Sequence, residues 1–423
     1  MDKFIIWGGE KLEGEIETSG CKNAVLPILA AALMGDSPSR IVNCPWLKDV
    51  DTMVEILEAM GVGVDRSFEG TLVVDPAKLA SHEAPYDLVR KMRASIYVLG
   101  ALLGRFGKAV VSIPGGCVIG PRPIDLHLKG FTELGTTIEQ RCGYIYAEAK
   151  ELVGREIFLG GPAGSSVGAT ANVLMAAVKA KGRTVISSAA CEPEIVDLAN
   201  FLNRMGAKVS GAGTPIITID GVTELHGVDG YEVIADRIEA GTFMAATAAT
   251  RGKVTVKGAD PAQLQSAISK LAEAGAKVEV SNGDIRIDAT GELKPVEVVT
   301  QPYPGFPTDL QAQFMAAALR TPGMSFFVEK IYPSRFMHVM EFARLGADIK
   351  MDGNRAIVHG VGKLSGAPIM ASDLRASAGL VLAALVAEGS TTIHRVYHID
   401  RGYEDIEERF AKLGARIKRV KSN

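Results

Sequence analysis

Several short stretches of this chain carry residue types suited to chemistry on anions. In Ile113-Pro114-Gly115-Gly116-Cys117-Val118-Ile119-Gly120-Pro121-Arg122-Pro123 a single thiol rides between a strand-like run, 108–112, and a helix-like run from Ile124. Glycine permits backbone conformations that other residues avoid, and proline stiffens the ends, which suits a segment that closes over a ligand as a unit. Arg122 stands near enough to Cys117 to draw an anion beside the sulfur or to favour thiolate. A Gly/Pro turn carrying a small apolar cysteine is an equally good reading of these residues alone.

Elsewhere, Lys22-Asn23 is framed by Ser19-Gly20 at the start of an apolar run, where helix N–H groups can approach an anion closely. Read singly, Lys22 is a solvated lysine and Arg93, beside Arg90 and Lys91, belongs to a solvated charge run. Asp309 in Gly305-Phe306-Pro307-Thr308-Asp309-Leu310 reads as a helix cap, and His398-Ile399-Asp400-Arg401-Gly402-Tyr403 as a turn whose charges pair with one another. Taken one at a time, the plain readings win. Their places in the chain shift the balance.

Those places are set by a repeat. Helix-like segments end in Gly61, Gly135, Gly206, Gly275, Gly346 and Gly414, spaced roughly seventy residues apart, so six copies of one unit fill the chain. A second, more apolar helix type recurs in the same rhythm over residues 23–34, 94–106, 167–181, 238–251, 311–320 and 376–388. Each is closed by a glycine at or just past its end, as a C-terminal cap requires. Short strands follow, among them the pair around the Asn282-Gly283 turn. The expected unit is therefore an α/β unit with its apolar helix packed inside.

The sixth copy lacks its later strands, and 4–7 with 13–17 at the other end of the chain look like the missing ones. Three copies would then form one lobe over 22–232, and three the other over 1–21 with 233–423, joined by two chain crossings that make a hinge. The residues just before the apolar helices are polar or basic. If the repeats share one polarity, several helix N-termini face one inter-lobe cleft as a trap for phosphate and carboxylate.

Composition narrows the partners. With 47% hydrophobic and 22% charged residues in 423, the chain is globular with ample core. A net charge of −3 argues against a nucleic-acid binder, so an anionic ligand needs a local cationic pocket. Apolar runs such as 24–34 and 380–387 fall short of the roughly 18 to 20 residues that span a bilayer, and the N-terminus carries no signal-peptide pattern. The expected location is the cytoplasm. Five scattered cysteines with no CxxC pair fit a reducing compartment without disulfide frame or zinc site. No pattern calls for a metal or an organic cofactor.

Together, Ser19-Gly20-Cys21-Lys22-Asn23-Ala24, Met92-Arg93-Ala94-Ser95-Ile96, Pro114-Gly115-Gly116-Cys117 with Gly120 and Arg122-Pro123, Phe306-Pro307-Thr308-Asp309, Asp373-Leu374-Arg375-Ala376-Ser377 and His398-Ile399-Asp400-Arg401-Gly402-Tyr403 resemble the motifs of the UDP-N-acetylglucosamine enolpyruvyl transferases, which open bacterial peptidoglycan synthesis. The likeness spans the whole chain in order and spacing. It implies two lobes, each an inside-out α/β barrel of three repeated units. It also implies a reaction in which the sugar 3-hydroxyl attacks carbon-2 of phosphoenolpyruvate, a tetrahedral ketal forms, and phosphate leaves.

By the same resemblance Cys117 donates the proton to the methylene carbon and can add covalently to phosphoenolpyruvate, while Asp309 is the base. Lys22, Arg122 and Arg401 would hold phosphoenolpyruvate, and Asn23 would steady the intermediate. Arg93, Arg122, Pro123, Ile124, Asp125, Leu126, Ser166, Val167, Asp309 and Ile331 would receive UDP-N-acetylglucosamine. Asp373 and Arg375 sit where the family keeps a further charged pair. Gly164 departs from relatives that carry lysine there, so backbone N–H groups would have to receive the diphosphate instead. Three rivals remain: a 3-phosphoshikimate enzyme of the same fold, a non-catalytic descendant of the scaffold, and an RNA-end cyclase. The first lacks the Cys117 loop and reads Gly-Ser-Lys-Ser around its lysine, the second would not keep Lys22, Cys117, Arg122, Asp309 and Arg401 together, and the third needs a basic surface.

Overall fold

The computed structural model describes residues 2–113, 123–162 and 164–421. Six helices are so rich in Ala, Leu, Val and Gly that no face of them suits water, and a helix apolar all round must be buried all round. They are Lys22–Ala32, Tyr97–Phe106, Val167–Ala177, Arg237–Thr250, Gln311–Ala318 and Leu374–Val386. Every residue of Arg237–Thr250 is buried. The third ends earlier than the sequence suggests, because the Lys181 N–H is taken by the Leu152 carbonyl.

Six four-stranded sheets accompany these helices, all with one plan. A short edge strand runs parallel to the strand that follows the apolar helix, which pairs antiparallel with one of a further antiparallel pair, a hairpin in five sheets and the two chain ends in the sixth. One example sets Glu297–Val299 beside Met324–Val328, then Arg355–His359 and Asp348–Asp352. The six glycines that set the repeat, 61, 135, 206, 275, 346 and 414, all have positive φ between 90° and 106°, where a side chain would be strained. At Asn282-Gly283 both residues have positive φ, as a tight hairpin turn demands.

The chain divides into two compact units, residues 2–19 with 235–421 and residues 20–234, each with its own hydrophobic core. We call them the Asp309 lobe and the Lys22 lobe. Lys3–Trp7 completes the sixth sheet, pairing with Ser390–His394 and Arg416–Val420. Glu13–Glu17 corrects the sequence expectation: it joins the fourth sheet, parallel to Lys253–Lys257. The reason is topological. The chain changes lobe directly after this strand, so the edge strand preceding Lys22–Ala32 stays behind in the Asp309 lobe. Reciprocally, Tyr231–Glu232 precedes Arg237–Thr250 but pairs with Ser39–Val42 in the Lys22 lobe.

Buried carboxylates fix both crossing segments. Glu239 accepts from the Ser19 N–H at 2.7 Å and from Arg409 at 2.5 Å. Asp197 accepts from the Tyr231 hydroxyl at 2.6 Å and from the Ile234 N–H at 3.3 Å, and burial pushes its carboxyl up to about 6. Within the Lys22 lobe the helices approach closely: a Cβ on Gly100 would lie 2.3 Å from the Asn172 carbonyl oxygen. The Gly100 N–H donates to Asn172 Oδ1 at 2.8 Å.

Two outcomes follow from this packing. Gly100→Ala is expected to lower stability by about 1–3 kcal/mol or more through overpacking, read by urea denaturation; wild-type stability would contradict the close approach. Burial pushes Glu239 from its ordinary 4.5 up to about 7, against the pull of Arg409. The folded state then holds this proton more tightly, so the associated stability is complete below pH 4.5 and is lost as pH rises through about 7. Relative to Glu239→Gln, which cannot ionise, the wild type should lose on the order of 1–3 kcal/mol across that range. A pH-independent difference between the two would contradict this.

Candidate active site

An amphipathic helix can place polar groups anywhere along its solvent face, but a helix buried all round can place them only at its ends. Lys22, Asn23, Ser166, Val167, Asp309, Asp373 and Arg375 lie there. Lys22 is the first residue of Lys22–Ala32 and Asn23 the second. Lys22 is not a solvated surface lysine: its Nζ donates to Asp49 Oδ2 at 3.1 Å, with the two side chains 12% and 5% exposed. Asp49 sits in the first turn of Lys48–Ala59, where a carboxylate suits the helix dipole.

Arg93 opens a short 3-10 turn, Arg93–Ile96, that leads into Tyr97–Phe106. The turn is held by the Ser95 hydroxyl, which donates to the Val89 carbonyl at 2.9 Å. Arg93 Nη2 donates to the Pro123 carbonyl at 3.2 Å, so two of the expected UDP-sugar contacts are in direct contact with each other. Ile124 precedes the helix Asp125–Glu133, which starts with Asp125 and Leu126. Leu126 lies against Gly161, where an added Cβ would meet it at 3.1 Å.

Ser166 is the N-cap of Val167–Ala177, its hydroxyl accepting from the Ala169 N–H at 3.3 Å. Gly164 has φ +89° in a turn closed by reciprocal bonds with Gly161, so a lysine in this backbone conformation would be strained. Asn172 joins the pieces from inside: its Nδ2 donates to the Ile96 carbonyl and lies 2.9 Å from His127 Nδ1. Cys117 and Arg122 lie outside the described residues. Among the described cysteines, burial pushes Cys44 up to about 12 and also raises Cys191, so neither thiol is poised for chemistry.

In the Asp309 lobe the centre is a carboxylate between two guanidinium groups. Asp309 does not cap its helix. Instead Oδ1 accepts from Arg335 Nη1 at 2.7 Å and Oδ2 from Arg375 Nε at 3.1 Å, while the carboxylate keeps 27% exposure. Arg335 and Arg375 are 8% and 3% exposed. Burial works against the charge of Arg375, but the Asp309 and Asp236 carboxylates beside it favour the charged form. Both its Nη atoms are buried, and the guanidinium faces the Tyr403 ring.

Asp373 and Arg375 form no side-chain pair. Asp373 is the N-cap of Leu374–Val386, its Oδ1 accepting from the Arg375 and Ala376 N–H groups at 3.0 Å, while the Arg375 side chain goes to Asp309. Ile331 is placed by Glu329, a fully buried carboxylate that accepts from the Ile331 and Tyr332 N–H groups at 2.9 Å and from the Thr300 and Thr308 hydroxyls. Arg401 lies in the loop after Val396–His398, and Gly402 packs so tightly on Leu374 that a Cβ would meet it at 2.6 Å. Arg401 therefore stands beside the start of Leu374–Val386. Asp400 of the same motif faces away and pairs with Arg419 at 2.6 Å.

Sequence reasoning missed Asp49, Glu329 and Arg335. Asp49 had a faint signal, an acidic residue at a helix start. Arg335 and Glu329 sit in no motif or period, and only the folded chain brings them to Thr308 and Asp309. Among the described residues no group of three or more His, Cys, Asp or Glu is placed to hold a metal ion.

A family model described as EPSP synthase (3-phosphoshikimate 1-carboxyvinyltransferase) matches residues 6–410. Relatives named UDP-N-acetylglucosamine 1-carboxyvinyltransferase from Desulfatibacillum aliphaticivorans and Methylacidiphilum infernorum are 52% and 53% identical, covering 100% of both chains in each case. One of the same name from Coxiella burnetii is 52% identical over 100% of this chain and 97% of its own. Among solved structures, the enolpyruvyl transferase NikO from Streptomyces tendae superposes with TM-score 0.89 at 27% identity, covering 100% of this chain and 99% of that one. EPSP synthase from Acinetobacter baumannii does so at 0.73 with 18% identity over 100% of both, a likeness of fold. The two-lobed, six-unit architecture and these full-length relatives lead to one conclusion: the chain belongs to the enolpyruvyl (carboxyvinyl) transferase family.

Proposed function

We propose that this enzyme transfers the enolpyruvyl group of phosphoenolpyruvate to the 3-hydroxyl of UDP-N-acetylglucosamine, releasing phosphate, as the committed step of peptidoglycan synthesis. The observation that carries the choice of acceptor is identity of 52–53% over the full chain to relatives named for that sugar nucleotide, against 18% to a structure named EPSP synthase. Both substrates are anions. Lys22, Arg122 and Arg401 would bind the phosphate and carboxylate of phosphoenolpyruvate, their charges offsetting its desolvation. Asn23 would hold the intermediate. Arg93, Arg122, Pro123–Leu126, Ser166, Val167, Asp309 and Ile331 would receive the UDP-sugar, and the strained lysine position at Gly164 leaves backbone N–H groups for the diphosphate.

In the addition step the sugar oxygen bonds to carbon-2 while the Cys117 thiol gives its proton to the methylene carbon. Asp309 takes the hydroxyl proton. A carboxylate clamped by Arg335 and Arg375 is a weak base. The hydroxyl becomes strongly acidic only as its oxygen bonds to carbon-2, so proton transfer accompanies attack. In the elimination step the bond from carbon-2 to the phosphate oxygen breaks, phosphate leaves with its electron pair, and the methyl carbon returns a proton. Among the described residues no helix is long and apolar enough to cross a membrane, and we place the enzyme in the cytoplasm with its two metabolites.

Phosphate release from phosphoenolpyruvate should require UDP-N-acetylglucosamine; turnover with shikimate 3-phosphate alone would overturn the assignment. Asp309→Asn should cut kcat by about a hundredfold or more with the fold intact by circular dichroism. Near-normal turnover in that variant would remove Asp309 from the reaction. Cys117→Ser should abolish most activity together with alkylation by an epoxide mimic of phosphoenolpyruvate, and full activity would rule out the thiol's role.

A further inference from the structure

Where the three apolar helices of the Asp309 lobe meet, the packing is interrupted by a polar cluster. Thr242 comes from Arg237–Thr250, Gln313 from Gln311–Ala318 and Arg375 from Leu374–Val386. Tyr403, 2% exposed, brings its hydroxyl to the first two and its ring to the third. That hydroxyl lies 2.8 Å from Thr242 Oγ1 and accepts from Gln313 Nε2 at 3.2 Å. Gln313 Nε2 also donates to Thr242 Oγ1 at 3.2 Å and to the Asp309 carbonyl oxygen at 2.9 Å. The Arg375 guanidinium lies over the Tyr403 ring, 5.4 Å from its centroid. Burial pushes the Tyr403 phenol up, so it stays neutral and can donate to Thr242.

A polar group inside a three-helix contact costs free energy unless fully paired, and an apolar side chain of the same shape would often be at least as stable. This cluster, however, reaches Asp309 from two sides and lies next to Arg401 along the chain. Gln313 holds the Asp309 backbone, Arg375 holds its carboxylate, and Tyr403 stands two residues from Arg401. We infer that the Tyr403 hydroxyl, with Thr242 and Gln313, is a positioning group that sets the three helix starts in register, so that Asp309, Arg375 and Arg401 keep one geometry for the reaction. The inference rests on the role given to Asp309 above.

Tyr403→Phe removes only the hydroxyl and keeps the ring under Arg375; Thr242→Val does the same from the other side at constant shape. Each should lower kcat and kcat/KM together by between about tenfold and a hundredfold, with a melting temperature near that of the wild type. The acid limb of the kcat/KM profile should move to higher pH, because a less well-held Arg375 stabilises the Asp309 carboxylate less. Among the described residues the charged groups facing the cluster include Asp236, Asp309, Arg335 and Arg375, and of the two carboxylates only Asp309 is assigned to the chemistry. Wild-type kcat and pH profile in both variants, beside an inactive Asp309→Asn, would overturn the inference while sparing the reading of Asp309. A Tyr403→Phe enzyme that melts early but turns over normally per folded molecule would also overturn it. Activity in Asp309→Asn would instead remove the reading on which it rests.

Discussion

The architecture depends on helices that have no wet face. Once Lys22–Ala32, Arg237–Thr250, Leu374–Val386 and their three counterparts are largely surrounded by protein, polar groups that are to meet a ligand find their place at the helix ends. The N-terminal ends are the useful ones, because their N–H groups have no intrahelical partner and the dipole favours anions. Lys22, Ser166, Asp309 and Asp373 stand within a residue or two of such a start, and Arg93 opens the 3-10 turn that leads into another. Sheets built on one plan hold these starts in place, and so the repeat and the chemistry share one cause.

Charge management follows from the same burial. Asp309 is a partly exposed carboxylate supported by two nearly buried arginines, each tied elsewhere: Arg335 to Thr308, and Arg375 through its backbone to the Asp373 cap. Glu329 carries the next layer, gathering Thr300, Thr308 and the N–H groups beside Ile331. At the crossings, Glu239 and Asp197 spend buried carboxylates on backbone N–H groups of Ser19 and Ile234. A buried carboxylate is tolerable only with such partners. In each case the partner is a piece of chain that has to stay where it is.

Much of this was legible in the sequence because it is periodic. The glycines 61, 135, 206, 275, 346 and 414 announced a backbone conformation that all six adopt, and the apolar runs announced helices that are buried over most of their length. What was illegible depends on contacts distant along the chain. The sequence pattern points Glu13–Glu17 to the sixth sheet and the fold puts it in the fourth, because the exchange of edge strands at the crossings leaves no trace in local pattern. Asp373 and Arg375, two residues apart, look like an ion pair, yet the first caps a helix and the second reaches Asp309 across 66 positions. Arg335 and Glu329 had no spacing to betray them. Lys22 was read singly as solvated because its partner, Asp49, lies on another helix.

The central claim is that these helix starts serve one transfer of a three-carbon unit. It is tested most directly by incubating the protein with phosphoenolpyruvate and UDP-N-acetylglucosamine and following both protein and sugar nucleotide by mass spectrometry. The account predicts a phosphoenolpyruvate-sized adduct on the peptide that contains Cys117, and enolpyruvyl UDP-N-acetylglucosamine accumulating with released phosphate. An unmodified Cys117 peptide together with unconverted UDP-N-acetylglucosamine, from folded protein, would contradict it.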